Sequence, residues 1–342
     1  MKIESHKSKI RIAKFAASAG IYAGFAFCLY QPHFKKFGSL QYLVVVNVSL
    51  AALGCFVLSR RWVSSFIGSF FAGAIYGFGP FGLWLSGYHP TAGLLAAAIP
   101  WLLCPAALCS KRKWKWISVP LSALPFLVIW LVFQVSAHYR LFPIPIHTKL
   151  HLTYLVGLVA PLVAMEQTIP LVGFYHVPIA ALLLGFSMLL KARRFGIMVI
   201  FSIGTILAFC DPFFNISPII WLTIPILCCS VVIGAGMQGL ALAGHSDRKW
   251  VLIATGIMAV LAITALLLAI KYNGIFAGFG SKYARLLTQT AKLYIVGAIT
   301  TAVIFFMVRA KLRLAALRWI ILSVAIAVDI LFCASFITYR VL

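Results

Sequence analysis

The chain is a succession of apolar runs, each about as long as a bilayer is thick, separated by short polar connectors. A helix of about 20 apolar residues is long enough to cross the hydrocarbon core of a membrane. Windows of that length predict ten candidate spans, near residues 12–30, 39–59, 62–86, 91–110, 117–137, 196–210, 217–244, 250–270, 287–308 and 317–338. The pattern therefore predicts an all-α fold, a polytopic transmembrane helical bundle.

One stretch, residues 151–190, does not fit a single ordinary span. It has forty residues and is interrupted by Pro161, Glu166, Pro170 and Pro178. Proline removes a backbone donor and breaks or kinks a helix. The stretch is therefore expected to cross the membrane either twice, or once with a broken or re-entrant half.

The distribution of lysine and arginine discriminates between these alternatives, because cytoplasmic loops are enriched in both residues. A single crossing places 20 of the 29 basic residues on the N-terminal side of the membrane, whereas a double crossing places only 16 there. The single crossing is favoured and gives about eleven crossings, within a range of 10 to 12. It predicts a protein of the plasma (inner) membrane with a cytoplasmic N-terminus and an external C-terminus.

Composition excludes a soluble protein, since 63% of residues are hydrophobic and 10% are charged, against about 45–50% and 25% in soluble domains. The connectors are too short to fold alone, so residues 1–342 are expected to form a single integral-membrane domain. The net charge of +24 comes from cations at span ends. It indicates contact with anionic lipid headgroups of the bilayer rather than with nucleic acid.

The sequence VVIGAGMQGLALAG contains glycines at the spacing of a dinucleotide-binding motif. Gly234, Gly236 and Gly239 match the spacing GxGxxG, but the run before them continues a membrane span and no acid follows about 20 residues later. We interpret the motif as helix packing and predict no cofactor. Small residues at four-residue spacing predict such contact faces at Ala235, Gly239 and Ala243, at Gly20 and Gly24, at Gly73 and Gly77, and at Gly274 and Gly278.

Three histidines, His138, His147 and His151, surround one loop predicted to be external. On a helix His147 and His151 would share one face and could bind a divalent metal. Prolines in the loop prevent one continuous helix, and no acid lies nearby. The sequence therefore predicts no metal site, and these histidines remain the alternative ligands. The eight cysteines lie in apolar stretches or at their ends and are interpreted as small buried hydrophobic residues.

Carboxylates at membrane depth are the strongest functional signal. Asp329 lies in the middle of a span and Glu166 lies between Pro161 and Pro170. A carboxylate at the centre of a bilayer costs about 2.5–3.5 kcal/mol on insertion scales, so each is a candidate site unless it makes a purely structural hydrogen bond. His176 and Tyr175 are expected to line the same path.

Three functions agree with these observations, and the sequence commits to no catalytic residue. The first is a transporter-like or permease-like protein that moves a small or lipid-derived substrate, with Glu166 and Asp329 contacting the substrate or coupling ion. The second is a non-catalytic scaffold or assembly subunit with membrane-protein partners. The third is a membrane-embedded enzyme acting on a lipid-linked substrate, which would use Arg140 and the histidines of the external loop.

Overall fold

The computed structural model describes residues 2–37, 40–109, 115–139, 150–164, 171–191, 195–212, 216–275, 281–310 and 314–341. Within these ranges the chain is helical, apart from short connections, and contains no strand. This confirms the prediction of an all-α polytopic bundle.

The α-helices of the described part are α1 (Lys2–Tyr30), α2 (Phe34–Phe37), α3 (Gln41–Ser59), α4 (Phe66–Gly77), α5 (Pro80–Tyr88), α6 (Pro90–Cys109), α7 (Lys115–Ser122), α8 (Leu124–Tyr139), α9 (Val156–Val159), α10 (Pro161–Ala164), α11 (His176–Lys191), α12 (Phe195–Phe209), α13 (Pro218–Trp221), α14 (Thr223–Leu242), α15 (Arg248–Ile275), α16 (Ser281–Arg309) and α17 (Ala315–Val341). Short 3-10 turns at Gln31–His33, Leu152–Leu155 and His245–Asp247 join some of them.

Nine apolar segments of the described part are long enough to cross a membrane. They correspond to nine of the ten predicted spans, and the tenth is the shorter helix Gly196–Phe209. The stretch 151–190 contributes one more apolar helix, His176–Leu190. Eleven crossings remain a prediction, because helix length and composition do not fix which short helices traverse the bilayer.

The bundle is organised around α14, of which 94% of the apolar window is buried. Helices α4, α11, α12 and α17 pack around it. By contrast, α1 has only 17% of its window buried and lies at the periphery. Because both kinds of helix are apolar, burial inside the bundle could not be read from hydropathy alone.

The glycines of the GxGxxG motif are packing residues. A Cβ at Gly236 would overlap the carbonyl oxygen of Ala181 on α11, and one at Gly234 would lie 2.7 Å from the carbonyl oxygen of Gly68 on α4. The interpretation as helix packing is confirmed. Two helices approach α14 closely, α11 at Gly236 and α4 at Gly234, on different faces. The close approach is centred on Gly234 and Gly236 rather than on the predicted Ala235, Gly239 and Ala243 face, of which Gly239 meets α11 side chains.

Of the other predicted contact faces, one is confirmed and one is wrong. Gly73 and Gly77 pack directly against the backbone of α3, as predicted. For Gly20 and Gly24 the prediction is wrong within the described part of the chain, because a Cβ at either position meets nothing within 4 Å. Gly278 lies outside the described residues. Small residues at four-residue spacing mark a surface that permits close approach, but they do not show that a helix of the same chain occupies it.

Two apolar segments of the described part are interrupted by two or more non-helical residues, whereas α7 and α8, like α13 and α14, are separated by a single turn residue. The predicted span 62–86 is two helices, α4 and α5, separated by Phe78 and Gly79. In the stretch 151–190, the described part consists of short turns and helices up to Ala164, followed by non-helical residues 171–175 and then α11. This stretch is broken, as predicted, whereas the break before Pro80 was not predicted.

One buried cation holds the end of the central helix. Arg318 on α17 is 5% exposed, and its Nη1 donates a hydrogen bond of 2.7 Å to the carbonyl of Ala243, the C-cap of α14. The last carbonyls of a helix have no partner within the helix and attract positive charge. Arg318 therefore stabilises both the carbonyl and the helix dipole.

We expect Arg318→Met to lower the free energy of unfolding by about 1–3 kcal/mol, because it leaves a buried carbonyl without its donor. Arg318→Lys keeps a cation and should lose less. Thermal unfolding of the purified chain in detergent measures both. Lys249→Met removes an exposed cation and serves as the control; equal effects of Lys249→Met and Arg318→Met would contradict the capping role.

Candidate functional site

Asp329 lies near the middle of α17 and is fully buried. With a rise of 1.5 Å per residue it is about 20 Å from each end of that helix. Its Oδ2 accepts a hydrogen bond of 2.7 Å from the backbone N–H of Val177, and its Oδ1 lies 3.1 Å from Nδ1 of His176. Both carboxylate oxygens are therefore engaged by residues at the start of α11.

The start of α11 is a favourable place for a negative charge. The first N–H groups of a helix have no carbonyl partner within the helix and form the positive end of its dipole. Val177 supplies one of these N–H groups to Asp329. This contact lowers the cost of a carboxylate at membrane depth and ties α17 to α11.

His176 is also fully buried and is the second member of the site. When the carboxylate is ionised and the imidazole is neutral, Nδ1 carries the proton that it donates to Asp329, and Nε2 carries a lone pair. Among the described residues Nε2 has no hydrogen-bond partner. The imidazole thus presents one nitrogen that can accept a proton while the other is fixed by the carboxylate.

Cys333 completes the cluster one helical turn after Asp329 on α17. Its Sγ lies 3.4 Å from Asp329 Oδ1 and 4.0 Å from His176 Nδ1. One nitrogen, one oxygen and one sulfur ligand therefore lie within 4.8 Å of one another. In the described part of the chain this is the group whose geometry approaches a metal site, and the sequence did not indicate it.

Tyr175 connects the site to the break between α4 and α5. It is buried in the non-helical residues before α11, and its hydroxyl donates a hydrogen bond to the carbonyl of Phe78. Phe78 lies in the break itself, where a carbonyl at membrane depth needs a partner from outside its own helix. The broken segment before α11 therefore contacts the break between α4 and α5 through Tyr175, and the next residue, His176, contacts Asp329.

Tyr294 of α16 connects the site to a further discontinuity. Its hydroxyl donates a hydrogen bond of 2.5 Å to the carbonyl of Val159, where α9 ends. Its ring meets the ring of His176 edge to face, with centroids 4.8 Å apart. Nothing in the sequence singles out Tyr294, since a tyrosine within an apolar run carries no signal of its own.

Of the site residues proposed from the sequence, Tyr175, His176 and Asp329 are brought together. Glu166 and His147 lie outside the described residues, as does Arg140, and the side chain of His138 is not described. His151 is exposed and extended, with φ −80° and ψ 148°. His151 therefore does not lie in a helix, which a shared helical face of His147 and His151 would require.

No protein-family model, curated protein or solved structure matches this chain. Function is inferred below from the geometry of the site. Multiple long apolar helices make the chain a multi-pass membrane protein.

Proposed function

We propose that this protein is a transporter or permease in which His176 and Asp329 bind the coupling proton. The observation that carries the proposal is the buried hydrogen bond between these side chains at a point where discontinuous segments converge. An ionisable pair in the membrane interior is costly and is commonly kept for proton or substrate binding.

The discontinuous segments support the same function. Non-helical backbone at membrane depth is tolerated where it is enclosed by protein or lines a water-filled cavity, and many transporters place their sites between broken helices. Here the carbonyls of Phe78 and Val159, both at breaks, are bonded by tyrosine hydroxyls. Rearranging such side-chain contacts disrupts less structure than melting a continuous helix.

The expected substrate is small or lipid-derived, and proton movement through the pair would drive its passage. We further propose that the N-terminus is cytoplasmic in the plasma (inner) membrane and that basic residues at helix ends contact anionic headgroups. Glu166 remains a proposed second coupling group.

A scaffold function is the competing proposal, and one observation favours it. Asp329 and His176 have no exposed surface, so their hydrogen bonds fit a permanent link between α11 and α17 equally well. The two functions differ in whether water ever reaches the site. Alternating access exposes a transport site in turn to each side of the membrane, whereas a structural link stays closed.

Cys333 provides the test, because it is buried and touches Asp329. In a chain whose other seven cysteines are replaced by alanine, a membrane-impermeant cationic thiol reagent should modify Cys333 in vesicles. If the open state is populated at about 0.1–10%, labelling should proceed at a similar fraction of the rate for an exposed thiol.

Two matched chains calibrate the rate. A chain that keeps only Cys210, which is exposed, sets the upper limit, and one that keeps only Cys55, which is buried between α3 and α4, sets the lower limit. Cys333 labelling as slow as that of Cys55 in both vesicle orientations would refute the transport proposal and support a scaffold.

A further inference from the structure

A second feature, separate from the buried pair, is a cavity of about 470 Å³. Its volume is within the range of small-molecule sites, about 300–1,000 Å³. Residues of α3, α6, α7, α12 and α14, together with Trp62, line it: Leu58, Trp62, Leu103, Ala106, Ala107, Ser118, Val119, Ser122, Gly196, Ile197, Val199, Ile200, Leu227, Cys228 and Val231.

The cavity is apolar inside and open on one side. Its walls are mainly aliphatic, and Ser122 directs its hydroxyl to the backbone carbonyl of Val119. Val119 on α7 and Val199 on α12 are 68% and 54% exposed, so the opening lies between these helices. A long apolar group would enter here from the side, and each methylene that leaves water favours binding by about fourfold.

Positive charge borders the same cavity. Arg60 and Arg61 lie in the chain between two lining residues, Leu58 and Trp62, and both arginines are exposed. In the sequence, further cations directly precede the lining residues Ser118 and Gly196, at Lys111, Arg112, Lys113, Lys115, Lys191, Arg193 and Arg194. The sequence has no acid from residue 5 to residue 165. Charge of one sign beside an apolar cavity fits an anionic amphiphile.

We infer that this cavity binds an anionic phospholipid, with an acyl chain between α7 and α12 and the phosphate headgroup near Arg60 and Arg61. The site is distinct from the buried pair, because His176 begins α11 whereas the cavity-lining Gly196 follows the other end of that helix. Sixteen helical residues separate these ends by about 24 Å. The inference therefore does not depend on the transport proposal.

Binding of defined lipids to the purified full-length chain in neutral detergent tests the inference by native mass spectrometry. The probes are phosphatidylglycerol and phosphatidylcholine with identical acyl chains. A cation near an anionic headgroup contributes about fivefold to binding, so two arginines should favour phosphatidylglycerol by roughly 25-fold. Equal affinity for the two lipids would overturn the inference.

Cavity-filling variants locate the acyl chain. A Cβ at Gly196 meets nothing within 4 Å, so Gly196→Leu should fold normally and still occupy cavity space. Gly256→Leu is the matched control, because Gly256 is equally open and lies on α15. Val119→Trp, with the exposed Val260→Trp as its control, is an independent second pair.

We expect Gly196→Leu and Val119→Trp to weaken binding of both lipids at least tenfold, and both controls to bind as the unmodified chain does. Exchange of Arg60 and Arg61 for glutamine should remove the preference for phosphatidylglycerol, whereas exchange of Arg248 and Lys249 should not. If cavity-filling variants bind lipid normally, the lipid is an annular lipid only and the inference fails.

Discussion

Asp329→Ala should lower the free energy of unfolding by about 3 kcal/mol, one of the two largest effects expected from a single change. Interhelical hydrogen bonds in membranes average only about 0.6 kcal/mol. Alanine, however, leaves both the Val177 N–H and His176 without an acceptor in a fully buried location. Chemical or thermal unfolding in detergent measures the loss.

Asp329→Asn removes the ionisable group at this position but keeps the shape of the side chain. Asparagine has the same shape. Its oxygen can accept from Val177 N–H, and its amide group can donate to Nδ1 of the His176 tautomer that is protonated at Nε2, so stability should change by no more than about 1 kcal/mol. It cannot bind or release a proton in the functional range. In the transport proposal, the rate of Cys333 labelling relative to that of Cys210 varies with pH in the unmodified chain. This dependence should be weaker in Asp329→Asn, in which His176 alone can bind the proton.

Asp247→Ala is the control for stability, because Asp247 accepts a hydrogen bond from Gly244 N–H in an exposed turn. Removing such a cap costs about 1 kcal/mol. If Asp329→Ala proves no more destabilising than Asp247→Ala, the buried contact between α11 and α17 does not contribute as the geometry requires.

Gly236→Ala should also lower the free energy of unfolding strongly, and it is the second of the two large effects. The added methyl would overlap the carbonyl oxygen of Ala181 and lie 3.0 Å from the backbone nitrogen of Gly185. Neither backbone atom can move without shifting α11. Overpacking usually costs about 1–3 kcal/mol, and an overlap with backbone on this scale should reach or exceed the upper end of that range. Because His176 begins α11, the shift should also disturb the bond to Asp329 and raise the labelling rate of Cys333.

Gly20→Ala is the matched control for this change. A Cβ at Gly20 meets nothing, and alanine has a helix propensity about 1 kcal/mol better than glycine. The variant should be neutral or slightly stabilised. A destabilised Gly20→Ala, or an unaffected Gly236→Ala, would contradict the assignment of α14 and α11 as the closest helix pair at this position.

Sequence was sufficient to locate the long apolar helices, because the insertion of apolar helices into lipid depends mainly on local hydropathy, but it did not fix the number of crossings. It was less informative about breaks. Pro80 biases Gly79 away from helical geometry, and the dipeptide was available as a signal inside the predicted span 62–86. It was missed because the apolar run continues through it without a change in composition.

For the candidate site, Asp329 was proposed from its insertion cost, and Tyr175 and His176 were expected to line the same path. Their contact could not be predicted, because the hydrogen bond joins residues 153 positions apart. Cys333 was interpreted as a buried hydrophobic residue like the other cysteines. Its spacing of four from Asp329 was visible, but only the folded bundle shows that both face α11.

The same separation has a consequence for biogenesis. During synthesis α11 is made before α17. The Val177 N–H and His176 therefore lack their acceptor, the Asp329 carboxylate, while the intervening helices are translated. A nascent chain stalled before Ala315 would leave these donors unsatisfied in lipid. The contact between α11 and α17 can therefore form only after Asp329 has been synthesised, which makes it a late step in the assembly of the bundle.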